Sequence, residues 1–413
     1  PSVWRSAARS LSGLSSVDPK DAPMDDCVFA YNTPAFKKTN PADLAREWDD
    51  LGFSIRCLNS HVKYTWKNGA WDNGILVPAP YILLHINAGA LHYGVSVFEG
   101  MKAFSGKDGM IRLSNPDLNA ARMQKGAERL MMPTVPPELF TKAVKQVVCA
   151  NREFVPPYGH NAAMYIRPLL FASGPMLGLG QLAQEYTFFV TALPAGGYFG
   201  TSGEEVGMDA LVCEDADRAA PRGLGDVKAA GNYAADLKPL HEAKDLKYGT
   251  TLYLDAMERK FVEEFSVCNF VGITHSDVYV TPQSDSILAS TTNRMLMRIA
   301  KDEGLVVEER PVDFDAEIDN FKEIGMCGTA TVLVKVRSIT RGDTKYEFND
   351  FTTLARLRSK LTAIQFGDSS AALTSEYMTD VCPAVTADEM AAFAAAPLEM
   401  EASIREGGGM GGE

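Results

Sequence analysis

The sequence predicts a mixed α/β (α+β) protein of two domains, on three observations. Its 413 residues exceed what one core usually fills, and 46% of them are hydrophobic, enough to supply two cores. Strand-like apolar runs and helical stretches are mixed in both halves. Between the halves, residues 193–205, LPAGGYFGTSGEE, replace apolar runs with glycine and serine, as a linker does. The expected layout is a small N-terminal domain over 26–192, the linker over 193–205, a large C-terminal domain over 206–372, and tails over 1–25 and 373–413.

Tyr81 to Phe104 reads as strand and turn, with Tyr93, Phe98 and Glu99 set among the glycines of HYGVSVFEGMKAF. A helix begins near Asn115, which can cap it, with Pro116 suited to the first helical position and Asp117 near the positive end. Pro133 ends it. A second helix from about Pro137 presents Leu139, Phe140, Ala143, Val144, Val147 and Val148 on one face. The runs 162–172 and 186–193 are buried strands. Past the linker, MDALVCE, TTLYLDAM, EEFSVCNFVGI and DVYVTP are strands, interleaved with helices near 232–246, 292–303 and 351–363. From about Ala371 alanine, acid and glycine take over, so a loosely attached tail, disordered at its glycine end, is expected.

The net charge of −13 argues against nucleic acid or an anionic membrane as the main partner, and a small anion would need a local basic pocket. The seven cysteines are scattered and never form CxxC, which suggests a reducing compartment and no metal site. No apolar run is long enough to span a bilayer. Residues 1–17 hold Arg5, Arg9 and six serines with no acid, the composition of an organelle transit peptide. Mitochondrion is the first reading and plastid the second, and an irregular tail on a cytoplasmic protein has the same composition. Neither GxGxxG nor GxxxxGK[ST] occurs, so nicotinamide and ATP have no anchor.

Chemistry concentrates at GLGDVKAAGNYA, residues 223–234, where Lys228 stands alone among glycine and alanine. Gly223, Gly225 and Gly231 allow close backbone approach to a flat ligand, and a desolvated lysine is a nucleophilic amine suited to a Schiff base. A helix-entry loop with an exposed lysine is the other reading of the same residues. If the amine serves pyridoxal phosphate, three further groups are required. A phosphate cradle is available from Arg122, from the helix start at Ser290, Thr291 and Thr292, and from Thr329 with Ala330 after Gly328. Glu264 is the carboxylate for the pyridine nitrogen, lying among apolar strand residues, while Glu263 should point to the other face. Tyr93, Phe98, Tyr165, Arg167 and Tyr233 can bind a carboxylate beside an apolar side chain. Each also has a plain structural reading, as helix arginine, helix cap, edge-strand glutamate or aromatic core.

Taken in order, HYGVSVFEGMKAF, LNAARMQKGAERLMMP, YIRPLLF, GDVKAAGNY, the Glu264–Asn269 segment, GTA and LTAIQFGD resemble the fold type IV pyridoxal-phosphate enzymes, most closely the branched-chain amino acid aminotransferases, over roughly residues 50–370. The resemblance implies that Lys228 is the Schiff-base lysine and proton shuttle and that Glu264 partners the pyridine nitrogen. It implies that Arg122, the Thr291 and Thr292 backbone and Thr329 hold the phosphate, and that Tyr233 meets the phenolic oxygen. Tyr93, Phe98, Tyr165 and Arg167 would line the substrate site, and the Ala330 N–H would meet the substrate carboxylate. The implied reaction is a ping-pong transfer of the amino group of leucine, isoleucine or valine to 2-oxoglutarate, giving branched 2-oxo acids, in a homodimer. Leu224, Val271 and Asn293 depart from the family pattern, which expects threonine, an aromatic and arginine there. Thr331 and Val334 stand where some mammalian members carry a redox CxxC, so no such switch is expected. D-amino acid aminotransferase, aminodeoxychorismate lyase and a catalytically silent homologue are the competing readings.

Overall fold

A computed structural model describes residues 36–199 and 206–395. The expected transit segment, the end of the expected linker at 200–205 and the glycine-rich C-terminus lie outside the described residues.

The first sheet is built from β1 (His61–Lys67), β2 (Ala70–Trp71), β3 (Ile75–Val77), β4 (Ser96–Phe98), β5 (Met101–Ser105), β6 (Met110–Ser114), β7 (Ala163–Ala172) and β8 (Glu185–Ala195). Its order is β18-β6-β5-β7-β8-β1-β2, with β3 on β1 and β4 on β7, where β18 is Met378–Pro383. Every pairing in it is antiparallel.

The second sheet holds β9 (Met208–Val212), β10 (Thr250–Leu254), β11 (Val262–Phe265), β12 (Asn269–Thr274), β13 (Val278–Pro282), β14 (Val306–Arg310), β15 (Phe321–Gly328), β16 (Val332–Arg341) and β17 (Thr344–Glu347). Its path β11-β10-β9-β16-β15-β12 is closed by a pairing of β11 with β12, so these strands form a ring. Leu252, Phe265, Phe270, Ile324, Met326, Val334 and Val336 pack together as its core.

The described helices are α1 (Pro41–Leu44), α2 (Gly89–Tyr93), α3 (Pro116–Arg129), α4 (Pro137–Ala150), α5 (Ala230–Ala235), α6 (Leu237–Asp245), α7 (Thr291–Asp302), α8 (Phe314–Glu317), α9 (Thr352–Gln365), α10 (Ala371–Tyr377) and α11 (Ala387–Ala395). The α4 stripe read from the sequence is the buried one: Phe140, Ala143, Val144, Val147 and Val148 sink into the first sheet's core, with Leu139 at its margin. Burying the phenylalanine and valine side chains stabilises the fold by about 1.5–3 kcal/mol each. On the second sheet, Met295, Leu296 and Ile299 of α7 and Leu354, Leu357 and Leu361 of α9 form a separate apolar layer.

Two expectations are corrected. Asn115 precedes α3 but makes no side-chain cap: its backbone is left-handed (φ 48°, ψ 48°), which turns the amide toward Met295 Sδ at 3.0 Å. The segment after Ala371 is no loose tail along 371–383, because α10 leads into β18, whose residues pair with β6. Among the described residues no helix is long and apolar enough to cross a membrane.

Candidate active site

A cavity of about 660 Å³ opens where β4, β7 and β8 of the first sheet face the closed ring. Its lining includes Phe98, Arg122, Tyr165, Arg167, Lys228, Tyr233, Glu264, Thr291, Thr329 and Ala330, ten of the residues singled out above, brought together from positions 98 to 330.

Lys228 is fixed by its neighbours on both sides. Its carbonyl accepts from Phe98 N–H at 3.1 Å, and Ala229 bridges Val97, so the loop is stitched to β4. Nζ donates to Tyr233 Oη at 2.9 Å and stands 4.7 Å from the Phe98 ring centroid. The amine is reached by solvent through the cavity and is otherwise surrounded by protein. Burial, aided by the positive charge of Arg122, lowers its pKa from 10.5 to about 8. The protonated form is the one penalised, so the neutral, reactive amine appears as pH rises through about 8 and not through the usual lysine range. At pH 7 roughly one amine in ten is then neutral, against roughly three in ten thousand for an unperturbed lysine. In the protein without cofactor, acylation of Lys228, followed by peptide mass mapping, should show a midpoint near pH 8. A midpoint above pH 10 would contradict the burial argument.

The glycines around this lysine serve the protein more than a ligand. A Cβ on Gly225 would lie 2.2 Å from the Ser286 carbonyl oxygen, and one on Gly223 would lie 2.9 Å from that of Ala220, whereas Gly231 faces open space. Gly225 thus lets the lysine loop press on residues 284–290, which run into α7.

Ser290 caps α7 by accepting from Asn293 N–H, leaving the N–H groups of Thr291 and Thr292 at the positive helix end. Thr291 lines the cavity, while the Thr292 side chain is buried and does not. Arg122 is held by a buried partner: Nε and Nη2 donate to the two Glu99 oxygens at 2.7 Å each, and Nη1 donates to Ala289 O at 2.7 Å. Burial works against the Arg122 charge and Glu99 outweighs it, raising its pKa. Two of its five N–H bonds remain after these contacts.

Glu264 sits where the ring closes, paired in register with Asn269. Oε1 accepts from Asn269 Nδ2 at 2.6 Å. Oε2 forms an ion pair with Arg218 Nη2 at 2.5 Å but accepts no hydrogen bond. Burial raises the Glu264 pKa and Arg218 opposes that shift. Glu263 is buried away from the cavity and accepts from Ser284 Oγ at 3.0 Å. Burial pushes the Tyr233 pKa up to about 12, so its phenol stays protonated.

On the opposite wall, Arg167 Nη2 donates to Tyr165 Oη at 2.8 Å and the guanidinium covers the Phe98 ring at 4.5 Å. Arg167 Nε is buried with no hydrogen-bond partner. A Cβ on Gly100 would lie 2.4 Å from Tyr165 Oη, so glycine there makes room for this pair. Thr329 and Ala330 lie in the turn after β15, and Lys102 Nζ of β5 ties that turn down through Ala330 O at 2.9 Å. Val332 follows with φ 60°, a left-handed backbone that a β-branched residue adopts only under constraint.

Tyr93 is the exception. It lies outside the cavity lining, 42% exposed, with its hydroxyl accepting from Gly178 N–H at 2.6 Å. Sequence reasoning missed Arg218, which an arginine ten residues before Lys228, with Arg222 close by, only faintly signals, and gave Glu99 no task. Of the departures, Asn293 has a structural job: it accepts from Tyr279 Oη at 2.6 Å and donates to Thr281 Oγ1 at 2.9 Å, binding α7 to β13. Val271 and Leu224 are core or core-margin residues.

The model of the class IV amino-transferase family matches residues 96–339, which span every cavity element from β4 to the turn after β15. The chain belongs to this family. The aminotransferase is 41% identical over 336 residues to the branched-chain-amino-acid aminotransferase of Haemophilus influenzae, covering 79% of this chain and 96% of that one. It is also 41% identical over 332 residues to the chloroplastic branched-chain-amino-acid aminotransferase 2 of Arabidopsis thaliana, covering 79% and 83%. Its fold is similar to a T.th. branched-chain amino acid aminotransferase solved with pyridoxamine 5'-phosphate, at TM-score 0.64 and 26% identity over 77% of this chain and 98% of that one. The same T.th. enzyme has been solved with N-(5'-phosphopyridoxyl)-L-glutamate, with TM-score 0.62 and 25% identity over 77% and 98%.

Proposed function

We propose that this aminotransferase moves the amino group of L-leucine, L-isoleucine or L-valine to 2-oxoglutarate, reversibly and in two half-reactions, with pyridoxal 5'-phosphate as cofactor. The observation that carries the reading is the buried Glu264 carboxylate on the cavity wall, whose Oε2 accepts no hydrogen bond beside its ion pair with Arg218 and so has acceptor capacity for a cationic ring N–H. The rest of the cavity fits the same group. Lys228 is the anchoring amine, Tyr233 faces the phenolic oxygen, and Arg122 with the Thr291 and Thr292 N–H groups and Thr329 holds the phosphate.

When bound, pyridoxal phosphate supplies an aldehyde that an amine can capture and a ring that draws electrons from the substrate α-carbon. Glu264, ion-paired with Arg218, would keep positive charge favourable at the ring nitrogen. Lys228 Nζ takes the proton from the substrate α-carbon and returns it, which its depressed pKa allows near neutral pH. The Tyr233 hydroxyl orients that amine through their 2.9 Å contact. The Ala330 N–H meets the α-carboxylate, Phe98 and Tyr165 take the branched side chain, and Arg167 meets the second carboxylate of 2-oxoglutarate.

The deciding experiment compares L-leucine with D-alanine as donors to 2-oxoglutarate, while following the visible absorbance of the reconstituted protein. L-leucine should shift the absorbance and yield glutamate at least ten times faster than D-alanine. The reverse preference would favour a D-amino acid aminotransferase, and no absorbance at all would favour a silent homologue.

The working unit is a homodimer. Ile75, Leu76, Leu83, Ile86, Leu91 and Leu179 are each more than half exposed, apolar side chains that a second copy would cover. The proposed role of Tyr93 at a substrate site depends on that second copy. Sedimentation at one chain's mass would rule this out. The segment 1–17 directs the chain to mitochondria, and a fluorescent fusion that stains plastids or cytoplasm would reject that address.

A further inference from the structure

β11 carries two successive glutamates: Glu264 lines the cavity, whereas Glu263 does not and is only 2% exposed. Glu263 Oε1 accepts from Ser284 Oγ at 3.0 Å, and Oε2 has no hydrogen-bond partner. A buried carboxyl held by one serine is a cost to the fold, and the proposed reaction gives it no task. Ser284 opens the segment 284–290 that joins β13 to α7, and its Oγ also accepts from Ser286 N–H at 3.1 Å. Backbone carbonyls of this segment then meet one site donor after another. Ser286 O lies 3.5 Å from Nη1 of Arg218, the partner of Glu264, and is the atom against which Gly225 presses. Leu288 O accepts at 3.1 Å from Asn269 Nδ2, which also donates to Glu264. Ala289 O accepts from Arg122 Nη1 at 2.7 Å, and Ser290 caps α7. One strap thus touches the groups assigned to the ring nitrogen and those assigned to the phosphate.

We propose that Glu263 is a positioning residue for the cofactor: through Ser284 it fixes the strap 284–290, and the strap sets the ring-nitrogen end of the site against the phosphate end. The inference rests on the proposed function. It puts two adjacent glutamates to work on one ligand, Glu264 directly and Glu263 through the strap. The Ser284 hydroxyl has a single proton, which it gives to Glu263 while accepting the Ser286 N–H, so both contacts hold it in one orientation. Without the Glu263 oxygen that hydroxyl is free to turn, and Ser286 loses its fixed place beside Arg218 and Gly225. Asn269 and Arg122 donate to the same strap further along, so a shift at its start reaches both ends of the site.

The test measures dissociation constants of pyridoxal 5'-phosphate, and of pyridoxal, which lacks the phosphate, with the cofactor-free full chain. Glu263→Leu and Ser284→Ala should each weaken pyridoxal phosphate by about tenfold, the loss expected when one buried hydrogen bond is removed. Both should weaken pyridoxal as well, because the strap serves both ends. Burial pushes the Glu263 pKa up to about 7, so glutamine is a close mimic of its protonated form and keeps an oxygen for the Ser284 proton. Glu263→Gln should therefore stay within about threefold of wild type for both ligands. The double variant Glu263→Leu with Ser284→Ala should lose no more than either single change, since both cut the same link. Ser284→Ala, a small change between β13 and α7, keeps the test decisive should Glu263→Leu fail to fold. Wild-type affinity in Ser284→Ala, unchanged pyridoxal binding, equal losses in Glu263→Gln and Glu263→Leu, or additive losses in the double variant would each overturn the proposal while leaving the proposed function intact. A wild-type chain that fails to bind pyridoxal phosphate would overturn both.

Discussion

Lys228→Ala should abolish transamination, with turnover falling by at least about 10⁴-fold, because in the proposed function proton transfer and the cofactor's anchor would be lost together. The fold should survive the change. Lys228 donates one side-chain hydrogen bond, to Tyr233, and its charged form is already disfavoured by burial. The melting temperature should therefore be unchanged or slightly higher, since the variant no longer carries an amine that the fold prefers uncharged. Borohydride treatment of the reconstituted protein should fix cofactor mass on wild type and none on the variant. Added methylamine should restore a small part of the turnover, because the cavity left behind can admit a free amine. Ordinary turnover in Lys228→Ala would remove the lysine from the reaction altogether.

Glu264→Gln should lower kcat by roughly 10²–10³-fold while changing KM much less, the pattern of a group whose contribution strengthens toward the transition state. The substitution also strips Arg218 of its buried counter-charge, and breaking such a pair costs about 3–5 kcal/mol. The two effects separate in a second variant. Arg218→Met removes the cation and leaves the carboxylate, so it should destabilise the protein to a similar degree yet retain more turnover when cofactor is saturating. Equal kcat losses in both variants would mean that the pair acts only as structural support.

Much of this site is legible in the sequence because each need of the cofactor has its own short signal. The α7 start is written in Ser290–Thr291–Thr292, and α3 and α4 announce themselves by proline at their first turn and, in α4, an apolar stripe at helical spacing. What stays hidden are contacts made over long separations. Glu99 and Arg122 meet from different elements, Arg218 reaches Glu264 across 46 positions, and Lys102 holds Ala330 across 228. None of these pairs has a local pattern: the first two depend on how loop, helix and strand pack on one side of the cavity, and Lys102–Ala330 depends on how the two sheets face one another. Gly225 shows the converse, because the need for glycine is visible in the sequence while its cause, the Ser286 carbonyl, is not. Tyr93 stands out through its motif, and a motif does not say whether a side chain serves its own cavity or a surface.

The antiparallel pairing of β18 with β6 has a consequence for biosynthesis. A ribosome adding about 5–20 residues per second needs roughly 13–50 s to make the chain between these two strands, and during that time β6 has no partner on that side. The nascent first sheet therefore waits with a bare edge, the kind of surface on which neighbouring chains can pair wrongly. A chain stopped after α9 would keep every residue of the proposed cavity and still present that open edge. Such a truncation would be caught first by chaperones and proteases, before any question of catalysis arose.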